Sequence, residues 1–218
     1  MTDKHGWTPF HLPASQGHEE VVRVILGHME TEGVSAGSVD PNLRDDHLGE
    51  TPLHLAALEG HDRTVKLLLQ NGAEANLKRN DGNTPLHLAA YRRRARTVKV
   101  LLELGNADRT AKNSKNETAF SFAFKRRGAA TVQQFLKRPS RIELEEIKDC
   151  DDKVMLWAAR QKETHELVRL LLKERKIKLQ NSIEAELDKL VNRGNWTALH
   201  WAVYHGENAV VWWLLRSS

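Results

Sequence analysis

The chain has 218 residues and a single cysteine, Cys150, so it can form no internal disulfide. No apolar run approaches the roughly 18 residues needed to cross a bilayer. The N-terminus lacks the apolar core of a secretory signal. Together these absences predict a chain of a reducing compartment, cytoplasmic or nuclear and not secreted, with no membrane insertion. The usual marks of catalysis are missing too. There is no HExxH and no paired CxxC. There is also no GxxxxGK[ST], GxGxxG or GxSxG. The acidic pairs Asp45-Asp46 and Asp151-Asp152 lie in polar links, with nothing to push one carboxyl against the other. No enzyme, metal or cofactor is expected.

What is present is enough apolar sequence for a core, 40% of residues, and an uneven charge. Residues 1–91 hold 7 Lys/Arg against 13 Asp/Glu, a net of −6. Residues 92–148 hold 15 against 6, a net of +9. The remainder is near neutral at +1, so the overall +4 conceals a basic middle segment that begins at Arg92-Arg93-Arg94.

The chain also repeats itself. "TPLHLAALEGHDRTVKLLL" (Thr51–Leu69) returns as "TPLHLAAYRRRARTVKVLL" (Thr84–Leu102). Related starts stand at Thr8-Pro9-Phe10, Thr118-Ala119-Phe120 and Thr197-Ala198-Leu199, and a weaker unit begins near Val154-Met155. Each Thr suits a helix N-cap, because its hydroxyl can accept from the first free backbone N–H groups. Pro at the first helical position gives up no useful hydrogen bond. A short helix with small residues (Ala56-Ala57, Ala89-Ala90) is expected next, followed by a glycine turn (Gly17, Gly60, Gly206). A second helix then carries an apolar stripe: Val21, Val22 and Ile25; Val65, Leu68 and Leu69; Val98, Leu101 and Leu102; Val168, Leu171 and Leu172. A short extended link, such as "NGAEANLKRNDGNT" (Asn71–Thr84), returns to the next Thr.

On these residues, best seen in "TPLHLAALEGHDRTVKLLLQNGAEAN" (Thr51–Asn76), the chain resembles the ankyrin-repeat family over nearly its whole length. The resemblance implies an all-α solenoid of about six stacked helix-turn-helix units with short β-hairpin fingers. The units are residues 3–46, 47–80, 81–114, 115–149, 150–192 and 193–218, forming one domain. Stacking is physically required, since a helix pair this short cannot bury its apolar face alone. Units four and five are degenerate: "FLKRPSRIELEEIKDCDDKVMLWAAR" (Phe135–Arg160) has lost the finger, and Ser182–Asn192 has the spacing of an extra helix. Pro13 predicts a distorted first helix. The tryptophan-rich last unit, from Trp196, is also similar to units of large fungal ankyrin proteins. Trp212 and Trp213 predict an outward aromatic on the last helix, covered by neighbouring domains of a longer parent chain or by a dimer partner. Of the 11 histidines, His11, His54, His87 and His200 share one repeat position, which the resemblance makes structural.

Ankyrin repeats bind protein partners, so a protein-binding scaffold is the expected function. By resemblance the contacts come from finger tips and exposed first-helix positions: Trp7, Glu50, Leu58, Glu59, Asn83, Tyr91, Arg92, Glu117, Lys125, Arg126, Trp196 and Tyr204. In the fourth unit Asn116 replaces the finger glycine. Aligning the units also predicts a basic ridge at the turn end of the stack: Arg92, Arg93, Arg94, Arg126, Arg127, Arg160 and Lys162. Neighbouring units lie about one Debye length apart, so these charges act as one field. The ridge can be a plain solvated surface or a docking site for an acidic or phosphorylated partner. Nucleic acid or an anionic membrane surface is the weaker alternative; against nucleic acid, Phe120, Phe122 and Phe124 look like core positions rather than base-stacking ones. A regulatory role inside a larger membrane-associated or enzymatic parent is a further alternative.

Overall fold

The structure is a computed structural model that describes residues 3, 6–31, 40–137, 198–204, 206, 208 and 211–212. Cys150, Arg160, Lys162, Trp196, Trp213, the degenerate Phe135–Arg160 segment beyond residue 137 and the Ser182–Asn192 helix lie outside the described residues.

The repeat is built the way its sequence suggests. Thr51 is extended (φ −95°, ψ 163°) and its side chain accepts from the His54 N–H at 3.4 Å. Pro52 then opens a helix that ends at left-handed Gly60. The helices of the first compact unit, Met1–Thr131, pair in sequence. They are α1 His11–Gln16, α2 Glu19–Thr31, α3 Pro52–Glu59, α4 Asp62–Gln70, α5 Pro85–Tyr91, α6 Ala95–Glu103 and α7 Ala119–Lys125. A further helix, α8 Ala129–Leu136, begins at the end of this unit. The first helices α1, α3, α5 and α7 pack in a row, and α2, α4 and α6 form a second row behind them.

The two rows need different sequences. α3 and α5 are flanked on both sides and backed by a second helix, so they bury residues nearly all round, including Leu53, Ala56, Ala57, Leu86, Ala89 and Ala90. Alanine lets the axes approach toward the low end of the usual 8–10 Å spacing. The second helices bury only one stripe: Val65, Leu67 and Leu68 in α4, Val98 and Leu101 in α6. Two sequence expectations shift here. Val21 is 49% exposed while Val22 is buried, because the inward face of α2 continues through Ile25 and not through Val21. α1 begins at His11, two residues later than the matching start in α3, so Pro13 falls in its first turn where no N–H is needed.

The fingers are hydrogen-bonded turns. Asp3, Arg79 and Asn113 donate backbone N–H groups to Trp7, Asn83 and Glu117 at 2.9, 2.9 and 3.0 Å. The second finger, Asp45 to Glu50 at 2.9 Å, is one residue longer. Ladder-type pairing among the described residues is limited to one bridge, Lys112 with Thr118. Successive tips are tied by main-chain bonds, Asn80 N–H to Leu48 O at 2.8 Å and Ser114 N–H to Asp81 O at 3.0 Å.

The second compact unit, Val132–Ser218, contains α9, Ala198–Tyr204. In it Val203, Tyr204 and Trp212 are exposed. Among the described residues no helix is long and apolar enough to cross a membrane.

Candidate functional site

A histidine relay positions the fingers. The backbone N–H of Thr51 donates to His54 Nδ1 at 3.2 Å, so that nitrogen is unprotonated. The proton therefore sits on Nε2, which donates to Asn83 O of the next finger at 3.2 Å. His11 does the same toward Glu50 O and His87 toward Glu117 O, each at 3.0 Å. Each imidazole thus fixes the base of the following finger. Burial holds all three below the ordinary histidine value, His54 at about 4, although the carbonyl bonds pull the other way. In the fourth unit Ser121 takes this place and bonds back to Thr118 O instead.

Between the finger tips and the first helices of units two to four lies a cleft of about 460 Å³. Leu58, Leu88, Tyr91 and Phe122 supply its apolar surface. Arg79, Asp81, Asn83, Asn113, Ser114, Lys115 and Glu117 come from the fingers, and Arg92 from the end of α5. Five of the residues singled out from the sequence therefore meet here: Leu58, Asn83, Tyr91, Arg92 and Glu117. Three more adjoin them. Glu59 faces Arg92 at 3.8 Å, Lys125 pairs with Glu117 at 2.7 Å, and the Arg126 guanidinium covers the Tyr91 ring at 4.0 Å. Trp7 stacks on His11 in the first unit and does not line the cleft. Tyr204 is exposed in the second compact unit.

Not all of these side chains are available. Glu50 is buried and paired with Arg79 at 2.5 Å, and the same guanidinium holds Asp81 at 2.7 Å. Burial would raise the Asp81 carboxyl, but the bonds from Arg79 and Asn83 outweigh it and hold it at about 2. Asn83 is buried as well, giving its amide to Asp81 and accepting from Asn113 at 3.0 Å. The bond from Lys125 lowers the Glu117 carboxyl. Finger polar groups are thus largely spent on tying one finger to the next.

Sequence reasoning missed Phe122, Lys115, Arg79 and Asp81. Phe120 is buried as expected, but Phe122 is only half-buried. Its ring meets Tyr91 and His87 edge-on, with centroids 5.8 and 5.9 Å apart. Its signal was available: Phe122 aligns with Leu55 and Leu88. The finger residues could have been found by aligning Lys115 with the tips at Asp81 and Leu48.

The described part of the ridge is contiguous. Arg92, Arg93, Arg94, Arg126 and Arg127 are all exposed. Arg93 and Arg127 take left-handed backbone, φ 58° and 53°, in register with Gly60 at 83°. Arg94 lies back across Gly60, where an added Cβ would stand 2.6 Å from its Cδ. Arg94 and Arg92 share Glu59, at 3.7 and 3.8 Å, so part of the field is neutralised locally. A second depression, about 580 Å³, lies at the turns of units one and two. Val21 is the only large apolar residue among those lining it, so it lacks an anchoring floor. Among the described residues, no three His, Cys, Asp or Glu are placed to hold a metal ion.

Comparison with known families agrees with this geometry. The family model for ankyrin repeats in three copies matches residues 32–116 and again residues 120–218. The single ankyrin-repeat model matches residues 5–46. A search of curated proteins finds no match.

Proposed function

Since the chain belongs to the ankyrin-repeat family, whose repeats are generally protein–protein interaction modules and typically non-enzymatic, we propose that it binds a protein partner in the cleft of units two to four. One observation carries this reading: an apolar floor of Leu58, Leu88, Tyr91 and Phe122 is ringed by polar groups in a preformed cleft of about 460 Å³. Tyr91 is 41% exposed and has Arg126 stacked on it, the residue types that most often anchor interfaces. The basic edge beside it, Arg92 to Arg94 and Arg126 to Arg127, favours an acidic partner. The polyanion alternative is weakened by Glu59 and Glu117, which stand within the same surface. A single domain of about six units in a cytoplasmic or nuclear chain, with neighbouring domains or a dimer partner over the last helix, is part of the same reading.

The test is comparative capture. The wild type, Tyr91→Ala, Leu58→Arg and a control on the second-helix row, Lys66→Ala, are used to capture partners from extracts, and the bound proteins are quantified. The expected result is a set of partners lost by both cleft variants and kept by the control. If both cleft variants retain every partner, the cleft is not the binding face.

A further inference from the structure

Resting on that cleft reading, we propose that the occupant is an extended acidic peptide: one apolar side chain flanked on each side by a carboxylate. The inference comes from which charges in the cleft are already spent. Both acids are engaged, Asp81 by Arg79 and Asn83, and Glu117 by Lys125. Of the cations, Arg79 is spent on Glu50 and Asp81, but three others are not held in this way. Lys115 is exposed and has no ion pair within 4 Å among the described residues, acting on Glu117 only at longer range. Arg92 has only the loose 3.8 Å approach to Glu59, itself shared with Arg94. Arg126 rests on the Tyr91 ring with no ion pair among the described residues. The uncommitted charge at this cleft is therefore positive.

The placement of the cations selects the ligand's form. Lys115 belongs to the finger of unit four, while Arg92 closes the end of α5. Both line the cleft, one from a finger and one from a helix end, together with Leu58, Tyr91 and Phe122. A phosphate needs donors that converge on one point. Cations carried by two different elements instead suit two separate carboxylates, and the apolar residues lining the same cleft suit the apolar side chain. Nucleic acid would need aromatic faces open for stacking, whereas the Tyr91 ring already carries Arg126 and meets Phe122 in an edge-to-face contact.

The probe is a fluorescein-labelled ten-residue peptide with a central Leu and a Glu two positions away on each side, followed by anisotropy at 0.15 M salt. Saturable binding is expected. Arg92→Glu and Lys115→Glu are each expected to weaken it about tenfold, the scale of one charge-assisted contact. Arg93→Glu carries the same charge change in a turn outside the cleft; as part of the shared basic field it is expected to weaken binding, but clearly less than Arg92→Glu does. Replacing the central Leu by Ser is expected to cost about tenfold or more. Circular dichroism confirms that each variant folds, and all three substituted positions are exposed.

Any of three results overturns the inference. One is an Arg93→Glu loss equal to that of Arg92→Glu, which means a diffuse field. Another is a Ser peptide that binds like the Leu peptide. The third is a phosphopeptide or single-stranded oligonucleotide that outcompetes the Leu peptide under the same variants. If wild type ignores the peptide while Tyr91→Ala still loses captured partners, the acidic-peptide inference fails and the cleft reading stands. If the peptide binds but captured partners survive Tyr91→Ala, the cleft reading fails as the route to those partners.

Discussion

Lowering the pH from 7.5 to 5.0 should weaken the first compact unit by about 2 kcal/mol through His54 alone. Unfolded, the imidazole titrates near its ordinary 6.5; folded, burial holds it at about 4. Between those values the unfolded chain takes up a proton that the folded chain refuses. The stabilisation is therefore fully present above pH 6.5 and is lost as pH falls toward 4. Each tenfold drop in the ring's proton affinity on folding is worth about 1.4 kcal/mol, so the full loss is about 3 kcal/mol, of which about 2 has gone by pH 5. His11 and His87 are lowered by the same cause, so the true slope is steeper. The mechanism is structural: a protonated Nδ1 cannot accept from the Thr51 N–H, and the ion would sit where no water reaches it. Carboxylates held low, such as Asp81, contribute only at more acidic pH, which leaves the window to histidine. The assay is urea unfolding followed by circular dichroism at constant ionic strength, with wild type beside His54→Gln. Glutamine can still donate toward Asn83 O but does not titrate. The variant should be weaker at pH 7.5, and its stability should fall less, by about 2 kcal/mol, on going to pH 5.0. A wild type whose stability is flat over that range, or a variant with the same slope, would refute the reasoning. A ¹H titration showing the His54 ring protonating near 6.5 would do so directly.

Three other substitutions test the scaffold. Gly82→Ala should destabilise by about 2–3 kcal/mol in thermal or urea unfolding. Its φ is +80° and the new Cβ would meet the Ser114 backbone nitrogen at 2.7 Å, breaking a tie between fingers. No loss of stability there would mean that the fingers give way freely. Arg93→Gly should stabilise by about 1 kcal/mol, because it relieves left-handed strain at φ 58° and removes one of several adjacent like charges. A lowered unfolding midpoint would show that its side chain contributes more by packing on Gly128 than it costs. Glu50→Gln should cost about 1–2 kcal/mol and respond weakly to added salt, since the Arg79 pair is mostly sheltered. A loss that vanishes in about 0.5 M salt would mark it as an ordinary surface pair.

Much of the fold was legible because the repeat is a local device. Thr, Pro and His within four residues specify a cap, a first helical position and a link to the next unit, and Ala pairs specify close packing. The left-handed turn at Arg93 could be read by register alone, since Gly60 occupies the same place. Asn116 in the finger glycine's place follows the same rule, adopting φ 61°. The site was less legible, because its residues are assigned by contacts between units about 30 positions apart. Glu50 and Asn83 looked like display residues from their place at a fingertip. Arg79 and Asn113, one repeat further on, turn them inward as ties. Phe122 looked like core, yet α7 presents it to Tyr91 at the cleft.

By itself, then, the sequence determined the repeated unit: its caps, its turns, its two kinds of helix and the need to stack. Those follow from backbone hydrogen bonding and apolar periodicity within about 33 residues, and they need no knowledge of neighbours. Only the tertiary structure decided which charges remain free. Whether Arg79, Arg92 or Lys115 can meet a partner depends on how near a carboxylate of the adjacent unit comes. Ion pairing falls off over a few ångströms, a scale that register along the chain does not resolve.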